Sequence, residues 1–219
     1  RLLRQAGEVD LEVDPDRRLP TMRHHTATHL LHAALRKVLG PHVEQAGSEV
    51  GPDRLRFDFR HDRPLAREQI ARVEDLVNRA ILDNQPVQRH EEVPLAEAKE
   101  RGAMALFGEK YGDTVRMIEI PAGLALADAE ERAPGETFSL ELCGGTHCAA
   151  TGDLGRFRIT GEGSVAAGVR RIEAVAGEPA LARDRADRDQ LDDLAGVLRP
   201  DGEPYAQQVR ALQAEVQQL

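Results

Sequence analysis

The sequence predicts an α+β domain, a mostly antiparallel sheet packed with helices, followed by a C-terminal helical pair. Three observations carry this. Leu55-Arg56-Phe57-Asp58-Phe59-Arg60 alternates strictly between apolar and polar residues, the pattern of a strand with one buried face. Residues 22–39 and 64–84 carry apolar side chains at helical spacing. After Gly177-Glu178-Pro179 the strand patterns vanish, and Leu191, Leu194 and Leu198, then Tyr205, Val209, Leu212, Val216 and Leu219, form helical stripes. The expected division is 1–20 as the end of a preceding segment, 21–177 as the main domain and 178–219 as a helical linker or coiled coil.

In chain order, residues 1–18 alternate weakly through Val9, Leu11 and Val13 and end in the turn-like Asp14-Pro15-Asp16, which reads as strand and loop. The helix over 22–39 is stopped by Gly40-Pro41. Strands over 43–50 and 55–60 flank Gly51-Pro52-Asp53 as a hairpin. Asp62 and Pro64 open a second helix with Ile70, Val73, Leu76, Val77, Ala80 and Ile81 on one face. A short strand over 86–93, a short helix over 95–101, a small-residue loop or helix over 102–108 and a strand over 115–120 follow. Residues 121–135, rich in Ala, Pro, Gly and acids, read as a surface excursion. A strand over 137–142 delivers Cys143. Strands over 156–160 and 169–175 complete one sheet of five or six strands, with Gly161, Gly163 and Gly168 in the connection. The tail, broken at 200–204, suits an antiparallel helix pair or the start of a coiled coil, and self-association through it is expected.

Composition narrows the classes. With 41% hydrophobic residues but only 3% aromatics and no Trp, the core of this 219-residue chain is built mainly from Leu, Val, Ile and Ala. No run approaches the roughly 18 apolar residues of a membrane span, so the expected compartment is the cytoplasm. Two cysteines cannot make a disulfide framework, and a reducing compartment keeps them as thiols. A formal net charge of -9 argues against a generic polyanion binder while leaving room for a local one. The basic residues are nearly all Arg, suited to bidentate contacts with phosphate or carboxylate.

The chemistry concentrates in two stretches. His25 and His29 lie four apart, so one helix face presents both imidazoles to a single point. Cys143 and His147 flank Gly144-Gly145. Three neutral nitrogens and one thiolate form a ligand set for one tetrahedral zinc ion; four protein ligands describe a structural site, whereas a catalytic one leaves a position open. Position 26 is Thr, so the general base of a His-Glu-x-x-His peptidase is missing and that hydrolysis is excluded. His32, a turn further on, reads as a half-buried residue beside the site. His24, about a hundred degrees round the helix, reads as facing solvent or a loop. Cys148 reads as a small apolar residue next to the site. Gln45-Ala46-Gly47-Ser48 offers polar groups at a hairpin lip. Arg170 and Arg171 fall on opposite faces of a strand, with a phosphate contact expected for one of them, and Lys110, in a surface turn, is a further candidate for contact with substrate or RNA.

The segments His24-His25-Thr26-Ala27-Thr28-His29-Leu30-Leu31-His32-Ala33-Ala34-Leu35-Arg36, Arg56-Phe57-Asp58-Phe59, Gly102-Ala103-Met104-Ala105-Leu106-Phe107-Gly108-Glu109-Lys110-Tyr111-Gly112, Glu141-Leu142-Cys143-Gly144-Gly145-Thr146-His147 and Ala166 to Val175 resemble, in order, the editing domain of the bacterial alanyl-tRNA synthetase family. The resemblance covers residues 20–177. Threonyl-tRNA synthetase editing domains share the pattern more loosely, and free-standing alanyl-tRNA editing proteins share it closely. The resemblance implies a mixed α+β fold, zinc held by His25, His29, Cys143 and His147, and hydrolysis of the ester joining serine or glycine to the acceptor end of tRNA(Ala). It also implies that Thr28 recognises the serine hydroxyl and that Gln45 lines the editing pocket. An aminoacyl ester is already activated, so positioning a water and stabilising the oxyanion suffice without a nucleophilic side chain. Methyl-size discrimination supplies only about 1–3 kcal/mol, whereas a polar pocket rejects the ligand that leaves it unpaired.

The tail resembles that family's helical linker. The ATP-using aminoacylation domain and the terminal domain are then expected to lie outside this chain. Two features depart from the family pattern: residues 121–135 are longer than its usual connection, and Cys148 is not part of its motif. A free-standing trans-editing deacylase and a zinc-stabilised tRNA-binding module without hydrolysis are the alternatives.

Overall fold

The computed structural model describes residues 11–105, 110–124, 136–198 and 204–218. Val9, the end of the 102–108 stretch, most of the 121–135 excursion, nearly all of the tail break and Leu219 therefore lie outside the described residues. The chain forms two compact units, Arg1–Pro179 and Ala180–Leu219.

Helix α1, Pro15–Leu39, begins earlier than the apolar periodicity suggests. Asp14, Pro15 and Asp16 are a helix start rather than a turn: the Asp14 carboxylate accepts from the Asp16 N–H at 2.9 Å, and Pro15 occupies the first helical position, where its missing N–H costs nothing. The expected boundary at residue 20 thus falls within one continuous helix. Gly40, at φ 120, ends it. From Thr26 to Leu35 every residue is buried, because α1 packs against strands of two different sheets and against helix α2, Arg67–Leu82.

The strands form two antiparallel sheets rather than one. The first has the order β1 (Gln45–Val50), β2 (Leu55–Arg60), β7 (Val169–Ala176), β6 (Phe157–Ala166). The second has the order β3 (Gln88–Pro94), β4 (Thr114–Pro121), β5 (Thr137–Leu142). The expected hairpin over 43–60 forms, with Ser48 opposite Phe57. Gly161 and Gly163 lie inside β6 rather than in a connection, where a register shift between Ile159 and Gly161 bends the ladder. At the start of this edge strand, α2 supplies the missing partners: Asn78 bonds both the N–H and the carbonyl of Phe157, and Glu74 accepts from the Ile159 N–H at 2.7 Å.

Leu55, Phe57, Phe59, Ile172, Ala174 and Ala176 point from the first sheet into the main core, where they meet Leu30, Leu31 and Leu35 of α1. Strand β4 is buried on both faces, with Ile118 and Ile120 in that core and Val115 and Met117 in a smaller one beneath the short helix α3, Leu95–Glu100. Two helices follow in succession as expected, α4 (Glu178–Val197) and α5 (Tyr205–Val216), and on them Leu191, Leu194, Leu212 and Val216 are exposed. Among the described residues no helix is long and apolar enough to cross a membrane.

Candidate metal centre

Helix α1 and the loop after β5 meet as the spacing requires. The donor atoms of His25, His29, Cys143 and His147 all lie within 4.8 Å of one another. Cys143 Sγ is 3.4 Å from His25 Nε2 and 3.3 Å from His147 Nε2. Bonds of about 2.0–2.3 Å to a tetrahedral ion give donor–donor edges of roughly 3.3–3.8 Å, so the set is close to binding geometry. The Gly-Gly step permits this approach: a Cβ at position 145 would run into the His25 ring, whereas one at position 144 would meet nothing within 4 Å.

The outer contacts orient the rings. His29 Nδ1 donates to Glu141 Oε2 at 2.8 Å, leaving Nε2 buried among the donors with no hydrogen-bond partner. An unpaired buried polar atom costs about 1–3 kcal/mol, a cost that a bound cation removes. Thr26 occupies the position that excluded the peptidase reading, and its hydroxyl lies 3.3 Å from His147 Nδ1 while accepting from the Cys148 N–H at 3.1 Å. Both histidines are thereby held by one nitrogen with the other turned to the cluster, the usual arrangement around a metal.

The electrostatics favour a positive charge here. Burial opposes ionisation of Cys143, but the neighbouring imidazoles of His147, His25 and His29 outweigh it and bring the thiol down to about 3. Burial lowers His147 to about 4, which keeps it a neutral donor. Burial also works against protonation of His29, yet the Glu141 carboxylate and Cys143 outweigh it and raise His29 to about 10. Glu141, despite burial, is held well below the usual carboxylate range by His29 and His32. Two anions in a buried cluster attract a cation, either a proton or a metal ion.

Cavities flank the cluster along α1. One, of about 180 Å³, is lined by His32, Arg36, Gln45, Met104, Ala105 and Glu141. The other, wider and more open, shares the Gly144-Gly145-Thr146-His147 loop.

The other sequence candidates fall as follows. Gln45 lines the first cavity, with its amide bonded to Ser48 Oγ at 3.0 Å. Thr28 is buried, and its hydroxyl donates to the His24 carbonyl at 2.9 Å. His32 is buried and shares Glu141 with His29, its Nδ1 3.0 Å from Oε1; its Nε2, like that of His29, has no partner. His24 does not face solvent but meets the hairpin turn at Gly51. It is fully buried, accepting from the Ala176 N–H at Nε2 and donating from Nδ1 to the Gly51 carbonyl, because α1 has no solvent side at this point. Cys148 is buried in the main core, and burial raises its thiol. Arg171 forms a bidentate pair with Asp58 at 2.7 and 2.8 Å, Arg170 pairs with Glu162, and Lys110 is exposed. Glu141 and Thr26 went unread as supporting residues. The signal for Glu141 was its place two residues before Cys143 on a strand, hence on the same face.

This fold and this donor cluster define a class. Residues 115–173 match the family described as threonyl and alanyl tRNA synthetase second additional domain, a span running from β4 into β7 and including Cys143 and His147. The chain is 51% identical over 211 residues to an alanine–tRNA ligase of Desulfitobacterium hafniense, covering 96% of this chain and 22% of that protein. It is 49% identical over 207 residues to that of Bordetella petrii, with 94% and 22% covered. To that of Pelotomaculum thermopropionicum it is 46% identical over 218 residues, with 100% and 23% covered. The chain therefore belongs with the bacterial alanyl-tRNA synthetases, as a fragment that contains the editing-type domain and spans under a quarter of those relatives' length.

Proposed function

We propose that this fragment carries out hydrolytic editing, releasing serine and glycine from mischarged tRNA(Ala), with one zinc ion held by His25, His29, Cys143 and His147. The observation that carries this reading is the convergence of those four donors between two cavities, with His29 Nε2 buried and unpaired. Zinc bound there supplies charge that fixes the thiolate and ties α1 to the loop after β5. The rest falls to the chain. Thr28 has committed its proton to the His24 carbonyl, so its free capacity is as an acceptor, which a serine hydroxyl satisfies and an alanine methyl does not. Gln45, beside the Glu141-His32 pair, orients the aminoacyl group. The tRNA(Ala) acceptor end is the partner, the cytoplasm the compartment, and the exposed leucines of α4 and α5 a self-association surface.

A specific observation supports the alternative of a tRNA-binding module without hydrolysis: four protein donors can close a tetrahedral ion completely. Release of serine from Ser-tRNA(Ala) separates the two. Hydrolysis well above the uncatalysed rate is expected, and its absence at full zinc occupancy sinks the editing reading for this fragment. Cys143→Ala is expected to lose zinc and activity together, and full retention of metal contradicts the ligand assignment.

A further inference from the structure

The wider cavity is an arginine cradle. Arg18 of α1, Arg89 of β3 and Arg116 of β4 surround it beside the Gly144-Gly145-Thr146-His147 loop. Among the described residues the one carboxylate lining it is that of Glu91, with its Oε1 3.2 Å from Arg116 Nε at an angle that makes no hydrogen bond. Arg116 also donates to the Gly144 carbonyl at 3.1 Å, and Arg89 donates to the His147 carbonyl at 2.7 Å. These backbone contacts orient both guanidiniums without neutralising them. Arg18 makes no ion pair among the described residues. Three guanidiniums against one carboxylate form a local excess of positive charge on a chain whose formal net charge is -9. Arg170 and Arg171 differ, since each is matched to a carboxylate of its own.

We propose that Arg18, Arg89 and Arg116 form a phosphodiester-binding subsite that grips the backbone of the RNA whose 3′ end reaches the metal centre. Planar guanidiniums held at a concave surface bind phosphate oxygens in pairs, and contacts to phosphate set register without reading bases. The subsite shares His147 and Gly144-Gly145 with the metal centre, so RNA held there has its terminus next to the cluster. The other cavity contains Glu44 and Glu141 and is less suited to a polyanion. This inference rests on the tRNA reading above.

The test measures binding of an uncharged RNA minihelix with a single-stranded CCA end to the 219-residue chain over a salt series, with metal content determined for each variant. Because the chain as a whole repels RNA, the slope of log affinity against log salt reports the local contacts. Arg18→Gln decides, since Arg18 braces no loop carbonyl. It is expected to keep full metal content, weaken binding and reduce the slope by about 0.7–0.9, the value of one phosphate contact. Arg116→Gln is expected to weaken binding and reduce the slope by the same amount, and Arg67→Gln, on the exposed start of α2, to leave the slope unchanged. RNA binding with parental slopes in both Arg18→Gln and Arg116→Gln overturns the subsite while leaving the editing reading intact. No binding by the parent chain at low salt overturns both.

Discussion

Gly144 and Gly145 look equivalent in a Gly-Gly turn, yet their surroundings are opposite. A methyl at 145 meets the His25 ring, and a methyl at 144 meets open space. Gly145→Ala is therefore expected to displace His25 and weaken metal binding sharply, with Gly144→Ala close to the parent, as metal stoichiometry at equal protein concentration will show. The cysteines divide in the same way. Cys143 is half-buried, with its thiol held far below the ordinary value; Cys148 is buried, with its thiol pushed up. After chelation, iodoacetamide at neutral pH is expected to label Cys143 alone, and restored zinc to protect it. Mass spectrometry of the labelled peptide checks this, and labelling of Cys148 at a comparable rate contradicts it.

Strand β5 does two jobs through one face. Ser139, Glu141 and the following Cys143 alternate toward α1, so the strand that delivers the thiolate also delivers the carboxylate that orients His29 and His32. Glu141→Gln keeps the shape and removes the charge. Loss of an outer partner of this kind lowers metal affinity by about 10–100-fold, which competition with a chromophoric chelator measures. An unchanged affinity would reduce Glu141 to packing. Helix α1 gathers the parts lengthwise: Arg18, His25, His29, His32 and Arg36 succeed one another at spacings of seven, four, three and four, placing the arginine cradle, the metal cluster and the smaller cavity along one stripe.

Across the main unit, the cluster ties His25 to Cys143, 118 residues further along the chain. A ligand that binds only the folded state at a thousand times its dissociation constant adds about 4 kcal/mol of stability. For a domain of this size that raises the melting temperature by on the order of 10 °C. Chelation is expected to lower the melting temperature of the parent by that amount and to leave Cys143→Ala unmoved, as calorimetry at matched concentrations will show. The helices, the hairpin over 43–60 and the two halves of the donor set were legible along the chain, because each depends on spacings of two to four residues that the backbone turns directly into a shared face. Other features were not, including the split into two sheets, the pairing of β2 with β7, the burial of His24, the bond from Glu141 to His29 and the arginine cradle. Each joins groups far apart along the chain, and no local spacing records which distant partner a side chain or strand edge will meet once the core closes around α1.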